Sequence, residues 1–516
     1  MLLLRNIKIK NDEKKELEKK IMDILKIKFL PKYEIYKKSI DARKTIVFNY
    51  QVLVDYEADD KLLKKLKDAV IYEEQRFELE KPFIRRDATI VGFGPAGIFC
   101  AYILAKYGYR PVVIERGKDV RKRQADIDEF LETGILDENS NVQFGEGGAG
   151  TFSDGKLTAR SKDKRLREVL KILVENGAPD EIMYDQKPHI GTDKLIDVME
   201  NMRNFIISRG GVIHFETCMQ DIIIENNTLS GIKTDRGVFK SDVYVFALGN
   251  SARDTFFMLK DRVKMENKPF AVGFRIEHSQ KMINDVQYRG MADSLPAASY
   301  QLTYQCDKFN TGVYTFCMCP GGEVINASSE KNHLCVNGMS YYARDNVNAN
   351  SAIICTIDEN IYGKNLLDGI KFQREIEKKA FELGGSNYFA PVQRVDDFIN
   401  GRKTEKLGDI IPSVRPGFVL SDLNGIYPEK ITESIKQAIL GMDKKMKGFS
   451  KGDSILTAVE TRSSCPVRIL RDEKLKSLSY DNLYPIGEGA GYAGGIVSSA
   501  IDGIKAAEII IKDKLI

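Results

Sequence analysis

No apolar run in the 516 residues approaches the ~20 needed to cross a bilayer, so no membrane span is expected. Met1 to Lys10 opens on leucines and then alternates with charge, which lacks the pattern of a secretory signal. The eight cysteines have no spacing framework and the four histidines stand far apart, which excludes a disulfide scaffold and a Cys/His zinc site. Such cysteines read as reduced thiols, and the chain as a cytoplasmic protein. A surplus of one charge is missing too. Lys+Arg 78 against Asp+Glu 74 leaves +4, too even for a polyanion-binding surface, so no nucleic-acid partner is expected. With 43% hydrophobic and 29% charged residues, disordered and fibrous classes are excluded. Neither an internal repeat nor a low-complexity tract is present.

What is there divides into about three domains by length. Residues 1–84 read as a small unit. Leu2–Lys8 predicts a strand, Asp12–Leu25 an amphipathic helix, Tyr33–Ala42 and Ile46–Tyr56 two strands, and Asp59–Val70 a second helix. That order suggests a ferredoxin-like α+β domain. Its lysines interleave with acids, as on solvated helix faces. Pro82 and Phe83–Arg86 read as a linker. α/β alternation then fills 85–264, short strand runs such as Ala271–Ile276 and Thr311–Met318 mark 265–445, and 446–516 rejoins the α/β body. The expected fold is therefore α/β: a discontinuous Rossmann-like domain, an inserted β-rich substrate domain and the small N-terminal unit.

The sharpest motif is Ala88-Thr-Ile-Val-Gly92-Phe-Gly94-Pro-Ala-Gly97, with a helix from Ile98 to Tyr107 and a strand from Arg110 to Ile114. Strand, glycine turn, helix and strand form the first half of a dinucleotide-binding unit. Gly92 permits the tight turn, Gly94 admits a pyrophosphate to the backbone, and Gly97 lets helix and strand pack closely. The helix end offers free N–H groups and a positive dipole to phosphate. Glu115 ends the second strand 23 residues after Gly92, close to the ~20 expected of an acid that accepts ribose hydroxyls.

A second glycine cluster lies near the other end of the chain: Leu483-Tyr-Pro-Ile-Gly487-Glu488-Gly489, then Gly494 and Gly495 before a helix from Ile496 to Ile511. Glu488 puts a carboxylate where ribityl hydroxyls need an acceptor. The helix opened by Gly494 and Gly495 suits the electron-rich edge of a flavin. An NAD domain would finish its sheet locally, so the paired ends point to FAD. Between them, Asn141-Val-Gln-Phe-Gly145-Glu-Gly-Gly-Ala-Gly150-Thr-Phe-Ser-Asp154-Gly155-Lys156-Leu157 reads as a loop of small residues folded over pyrophosphate and flavin.

The paired ends resemble the glutathione-reductase-type two-domain flavoproteins. The resemblance implies an ADP site at the first fingerprint, with Pro95, Ala96 and Arg116 beside it, and a ribityl site at Gly487-Glu488, where that family usually has Gly-Asp. It also implies that Tyr244–Gly249, with Ala247 and Gly249, closes the sheet near the pyrophosphate, and that the strand within Gly211–Asp221 brings Met219 to the adenine. The implied FAD set adds Gly148, Gly150, Thr151, Ser153, Gly155, Lys156 and Ile496 to the residues above. Lys187-Pro-His-Ile-Gly-Thr-Asp-Lys-Leu195, Gly273-Phe-Arg-Ile-Glu277-His278, Phe316-Cys-Met-Cys-Pro-Gly-Gly322 and Asn337-Gly-Met-Ser340 narrow the likeness to bacterial FAD-dependent dehydrogenases, also labelled NAD- or FAD-utilizing dehydrogenases. That group implies FAD, a two-domain core and an appended N-terminal domain. It implies no substrate.

Candidate reactive groups are Cys317 and Cys319, two apart on a predicted strand and so facing one way, His189 and His278 as acid–base groups, and Lys156 or Arg275 as anion holders. Each has an equally ordinary structural role. No second strand–glycine turn–helix unit stands between Asn250 and Tyr480, so an NAD(P)H donor would share the substrate cleft. The function expected is an FAD-dependent oxidoreductase acting on a small molecule. The alternatives are a flavin-holding scaffold whose N-terminal unit recruits a protein or RNA, and an NAD-dependent dehydrogenase without flavin, which leaves the C-terminal motif unused.

Overall fold

The computed structural model describes all residues except 43–44, 74–76, 80–85, 159–162, 291–294 and 514–516. Most of the expected linker, including Pro82 and Phe83, lies outside the described residues. The protein is of mixed α/β class. Among the described residues no helix is long and apolar enough to cross a membrane.

A five-stranded parallel sheet runs in the order Leu483–Pro485, Val243–Phe246, Ala88–Val91, Val112–Ile114, Val212–His214. Its inner strands are apolar at nearly every position because both faces are covered. Helix Pro95–Lys106, buried from Ala96 to Ala105, packs against helix Ile496–Lys512. The approach is close: a Cβ on Gly503 would lie 2.2 Å from the Ala96 carbonyl oxygen. Strand Leu483–Pro485 thus joins a sheet whose other members come from the first half of the chain.

A seven-stranded sheet carries the second core, in the order Thr303–Cys306, Thr311–Cys319, Asn348–Ile357, Phe270–Ser279, Ile455–Glu460, Ala390–Arg394, Phe418–Leu420. Only its last pair is parallel. Strand Ile455–Glu460, which the sequence reading grouped with the C-terminal α/β part, is hydrogen-bonded between Phe270–Ser279 and Ala390–Arg394. Its six residues are all buried, an apolar run equally suited to either sheet, and pairing decides the matter.

The N-terminal unit forms a four-stranded antiparallel sheet in the order Tyr33–Asp41, Val47–Val54, Leu2–Ile9, Ala69–Ile71. Phe48, Tyr50, Val52 and Val54 share its buried face with Leu17, Ile21 and Leu25 of helix Lys14–Leu25. The expected helix over Asp59–Val70 is shorter, Asp60–Lys65, and the chain then adds the strand Ala69–Ile71 beside Leu2–Leu4. Likewise Gly211–Asp221 is no single strand: Val212–His214 extends the parallel sheet, and Met219–Glu225 starts a separate antiparallel meander.

Candidate functional site

The two glycine clusters meet. Gly92 has φ +99°, and a Cβ there would lie 2.3 Å from the Ala247 carbonyl oxygen. On Gly97 a Cβ would lie 2.0 Å from the Gly92 carbonyl oxygen, so Gly97 sits behind the turn and fixes helix against strand. Gly94 is different. Its backbone is extended, and the nearest atom to a Cβ there would be the Gly148 Cα at 3.7 Å, across a slot between two loops. Helix Pro95–Lys106 starts at that slot with no acid in its first turn, leaving its positive end for an anion.

The far segment closes the other side. Gly487, at φ +76°, would put a Cβ 2.7 Å from the Ala96 Cβ, and Gly489 would put one 2.4 Å from the Gly249 carbonyl oxygen. A Cβ on Gly150 would lie 2.8 Å from the Ile496 Cγ1, whereas Gly494 and Gly495 face open space. Between these walls runs a continuous cavity of about 1180 Å³. That exceeds the usual ~300–1,000 Å³ of small-ligand sites. Gly92, Gly94, Pro95, Ala96, Glu115, Arg116, Gly148, Gly150, Ser153, Lys156, Met219, Ala247, Gly249, Gly487, Glu488, Gly494, Gly495 and Ile496 all line it.

Three members of the expected set do not form that wall. Gly97 lies behind it, as above. The Thr151 side chain is buried against Gly147, and its carbonyl accepts from Thr192 Oγ1 at 2.8 Å. Gly155 turns the chain at φ +66° against Leu195 and Gly191. Two others have extra duties. The Glu115 carboxylate accepts N–H groups from Phe93, Gly117 and Gly145 at 2.8, 2.9 and 3.0 Å, tying three loops to the strand end. Arg116 is held by Asp254 at 2.8 Å and lies over the Phe144 ring.

The loop from Asn141 to Gly150 is stapled from beneath by a residue the sequence did not single out. The buried Arg123 guanidinium donates to the carbonyls of Asn141, Val142, Glu146 and Gly148 at 2.6–3.0 Å. Asp502 was missed as well. It accepts the Gly487 N–H at 2.8 Å and pairs bidentately with Arg471. An aspartate inside the apolar helix Ile496–Lys512 was the available signal.

At the opposite end, strand Thr311–Cys319 slips register between Phe316 and Cys319. Cys317 has φ +45°, so the alternation expected of a regular strand fails: Cys317 reaches the cavity wall and Cys319 is fully buried. A hydrogen bond from the Cys319 thiol, acting against burial, and then Lys156 and Arg275 pull the Cys317 thiol below its ordinary range, while that bond and burial push Cys319 up. Arg275 is buried beneath, donating to Asn350 Oδ1 and the Cys317 carbonyl at 3.0 Å and to Glu460 Oε2 at 3.4 Å. It therefore shapes the wall without forming it. Burial pushes Glu460 up to about 7, and likewise Glu488, which accepts from Asn250 Nδ2 at 2.9 Å.

Neither histidine lines the cavity. His189 stacks on Tyr342 with Nε2 3.0 Å from that residue's carbonyl, and burial, then Arg344, lower its pKa. His278 is wholly buried, bonded to the Phe449 carbonyl and lowered by burial to about 4. Both serve as packing groups. Among the described residues no cluster of three or more His, Cys, Asp or Glu could hold a metal.

This chain is 46% identical over 515 residues to a protein of Clostridium beijerinckii named only as uncharacterized, with 97% of each chain covered. The chain belongs to that protein's family. Residues 269–463 match the family described as FAD-dependent protein, C-terminal domain-like, and residues 1–55 match a domain of unknown function. Similar solved structures include glycine oxidase from Geobacillus kaustophilus, with 10% identity, TM-score 0.38, and 84% and 96% of the two chains covered. L-proline dehydrogenase from P. horikoshii is another, with 12% identity, TM-score 0.35, and 84% and 94% covered. The FAD-dependent family supports a flavoenzyme and FAD as its cofactor. The residues present fit that group: an open helix end for phosphate, glycines whose Cβ atoms would block the slot, and carboxylates at both rims.

Proposed function

We propose that this protein is an FAD-dependent oxidoreductase passing hydride between flavin and a small molecule, with NAD(P)H as a transient donor. The observation that carries the reading is the continuous cavity from the Gly92–Gly97 turn past Gly487–Ile496 to Cys317 and Glu460. The pairing of an early fingerprint with a late glycine-acid turn supports a glutathione-reductase-like layout, in which the parallel-sheet body grips the cofactor and the antiparallel body presents the substrate.

FAD, when bound, supplies a carrier for hydride. The chain's own groups do the rest. Gly94 and the Pro95–Lys106 helix end would take the phosphates, and Glu115 and Glu488 would accept hydroxyls. The N-terminal end of Ile496–Lys512 offers its dipole to the flavin edge. Cys317, which lines the far wall and whose thiol its neighbours keep acidic, would take the proton from a substrate losing hydride. A nicotinamide donor shares this end, since residues 250–480 carry no second nucleotide fingerprint.

The scaffold reading has less support. Lys38 N–H donates to the Tyr184 carbonyl at 2.7 Å, Gln186 N–H donates back to Lys38 at 2.9 Å, and Tyr36 and Lys37 line the cavity. These contacts favour an N-terminal sheet that contributes to the site's wall. The test is purification without added cofactor, mass identification of the ligand released on denaturation, and anaerobic addition of NADH or NADPH. FAD and bleaching of its visible absorbance are expected. Colourless protein that gains no thermal stability with FAD sinks the proposal.

A further inference from the structure

Lys156, Lys187 and Arg344 converge on the substrate end of the cavity. Arg344 spends its charge on Asp154, with Nε–Oδ1 at 2.9 Å and Nη2–Oδ2 at 2.5 Å. Lys156 Nζ stands 3.9 Å from that same carboxylate, too far for a hydrogen bond. Lys187 Nζ donates to a neutral group alone, Ser299 Oγ at 2.9 Å, among the described residues. Lys37 and Arg167 line the same cavity, as do the carboxylates Asp185 and Glu460. Lys156 and Lys187 therefore bring two ammonium groups to the wall, neither of them hydrogen-bonded to a carboxylate among the described residues. This crowding marks Lys187: burial, then Lys156 and Arg344, lower that ammonium's pKa. An anion seated between the lysines would relieve this repulsion.

A dinucleotide's phosphates have their own place at the Pro95–Lys106 helix end, so the two ammonium groups are left for another molecule. A carboxylate offers one oxygen to each of the two ammonium groups. We propose that Lys156 and Lys187 hold the carboxylate of a small monoanionic substrate. The proposal rests on the oxidoreductase reading only in calling that anion a substrate.

Full-length protein is titrated by calorimetry with benzoate, with benzamide as its uncharged isostere, and with inorganic phosphate. Saturable benzoate binding is expected, with none for benzamide and weaker binding for phosphate. Lys187→Gln and Lys156→Gln should each weaken benzoate on the order of tenfold, the loss of one charge-assisted hydrogen bond. Lys187→Arg should stay within about threefold, because the charge remains. Lys194→Gln, whose ammonium lies over the Tyr342 ring away from the cavity wall, should change nothing. Equal binding of benzoate and benzamide, tighter phosphate, or an unaltered Lys187→Gln overturns the proposal. Calorimetry needs no flavin colour, so the two ideas fail separately. Protein that neither carries nor takes up FAD but still binds benzoate sinks only the oxidoreductase reading, and flavin-loaded protein that ignores benzoate sinks only the subsite.

Discussion

Gly94→Ala separates binding from folding, because the position is open in the protein and closed only to a ligand. Its φ of −78° and ψ of −174° suit any residue, and the nearest atom to the new Cβ is 3.7 Å away. Alanine is a poorer N-cap than glycine by up to about 1 kcal/mol, but it lowers unfolded-chain entropy by about 0.4–1 kcal/mol. The two nearly cancel, so the melting temperature of flavin-free protein should hardly move. Binding is another matter. The methyl group projects into the slot between Gly94 and Gly148 and pushes a pyrophosphate away from the helix end. Losing one charge-assisted bond and part of the dipole interaction costs about 3 kcal/mol, roughly a hundredfold in affinity. Gly97→Ala is the control of opposite sign. Its Cβ would lie 2.0 Å from a backbone oxygen, so it should destabilise the fold by about 1–3 kcal/mol through overpacking. Thermal melts of flavin-free protein and equilibrium titration with FAD read the two effects. If Gly94→Ala binds FAD as the parent does, or unfolds as readily as Gly97→Ala, the reasoning about the slot is wrong.

Glu488→Gln keeps an acceptor for Asn250 but cannot ionise. The folded pKa of Glu488 is raised from 4.5 to about 7, so its favourable contribution is complete below 4.5 and is lost as pH rises through 7. In flavin-free protein the variant should therefore gain on the parent across that window; parallel melting curves from about pH 4 to 8 would refute it. Cys319→Ala removes the hydrogen bond that favours the Cys317 thiolate, and the midpoint of Cys317 alkylation by iodoacetamide should move to higher pH, whereas an unmoved midpoint assigns the acidity elsewhere. Glu377 is buried and, against burial, is held below the carboxylate range by Arg253 and Arg462, each bonded to both its oxygens. Glu377→Gln leaves two buried guanidinium groups short of charge and should cost about 3–5 kcal/mol in denaturant unfolding; a loss under about 1 kcal/mol would mean that Glu330, 3.1 Å from Arg253, suffices.

The glycine motifs were legible because each encodes a backbone geometry that the residue alone permits. Gly92 and Gly487 have positive φ, and Gly97 tolerates an oxygen where a Cβ would be, so spacing conveys the turn, the helix end and the pairing of the two glycine clusters. What stayed hidden depends on partners distant in sequence. Nothing near Cys317 announces a bulge, because a register slip exists only against Asn348–Ile357. The alternation rule then gave both cysteines one face, and the slip gives one to the cavity and the other to the core. Ala69–Ile71 is a strand only because Leu2–Leu4 lies beside it, and three residues carry too little pattern to outweigh the helical run before them. Arg123 looked like any of the many cations in the chain, and Arg275 read as an anion holder at the site rather than as a buried support. Their burial follows from the carbonyls the loop at 141–148 turns inward and from the Asn350 and Glu460 side chains of neighbouring strands. The glycine-lined slot is thus written in local backbone requirements, and the wall at Cys317 in contacts between strands. Sequence pattern alone therefore reaches the first and leaves the second to the three-dimensional arrangement.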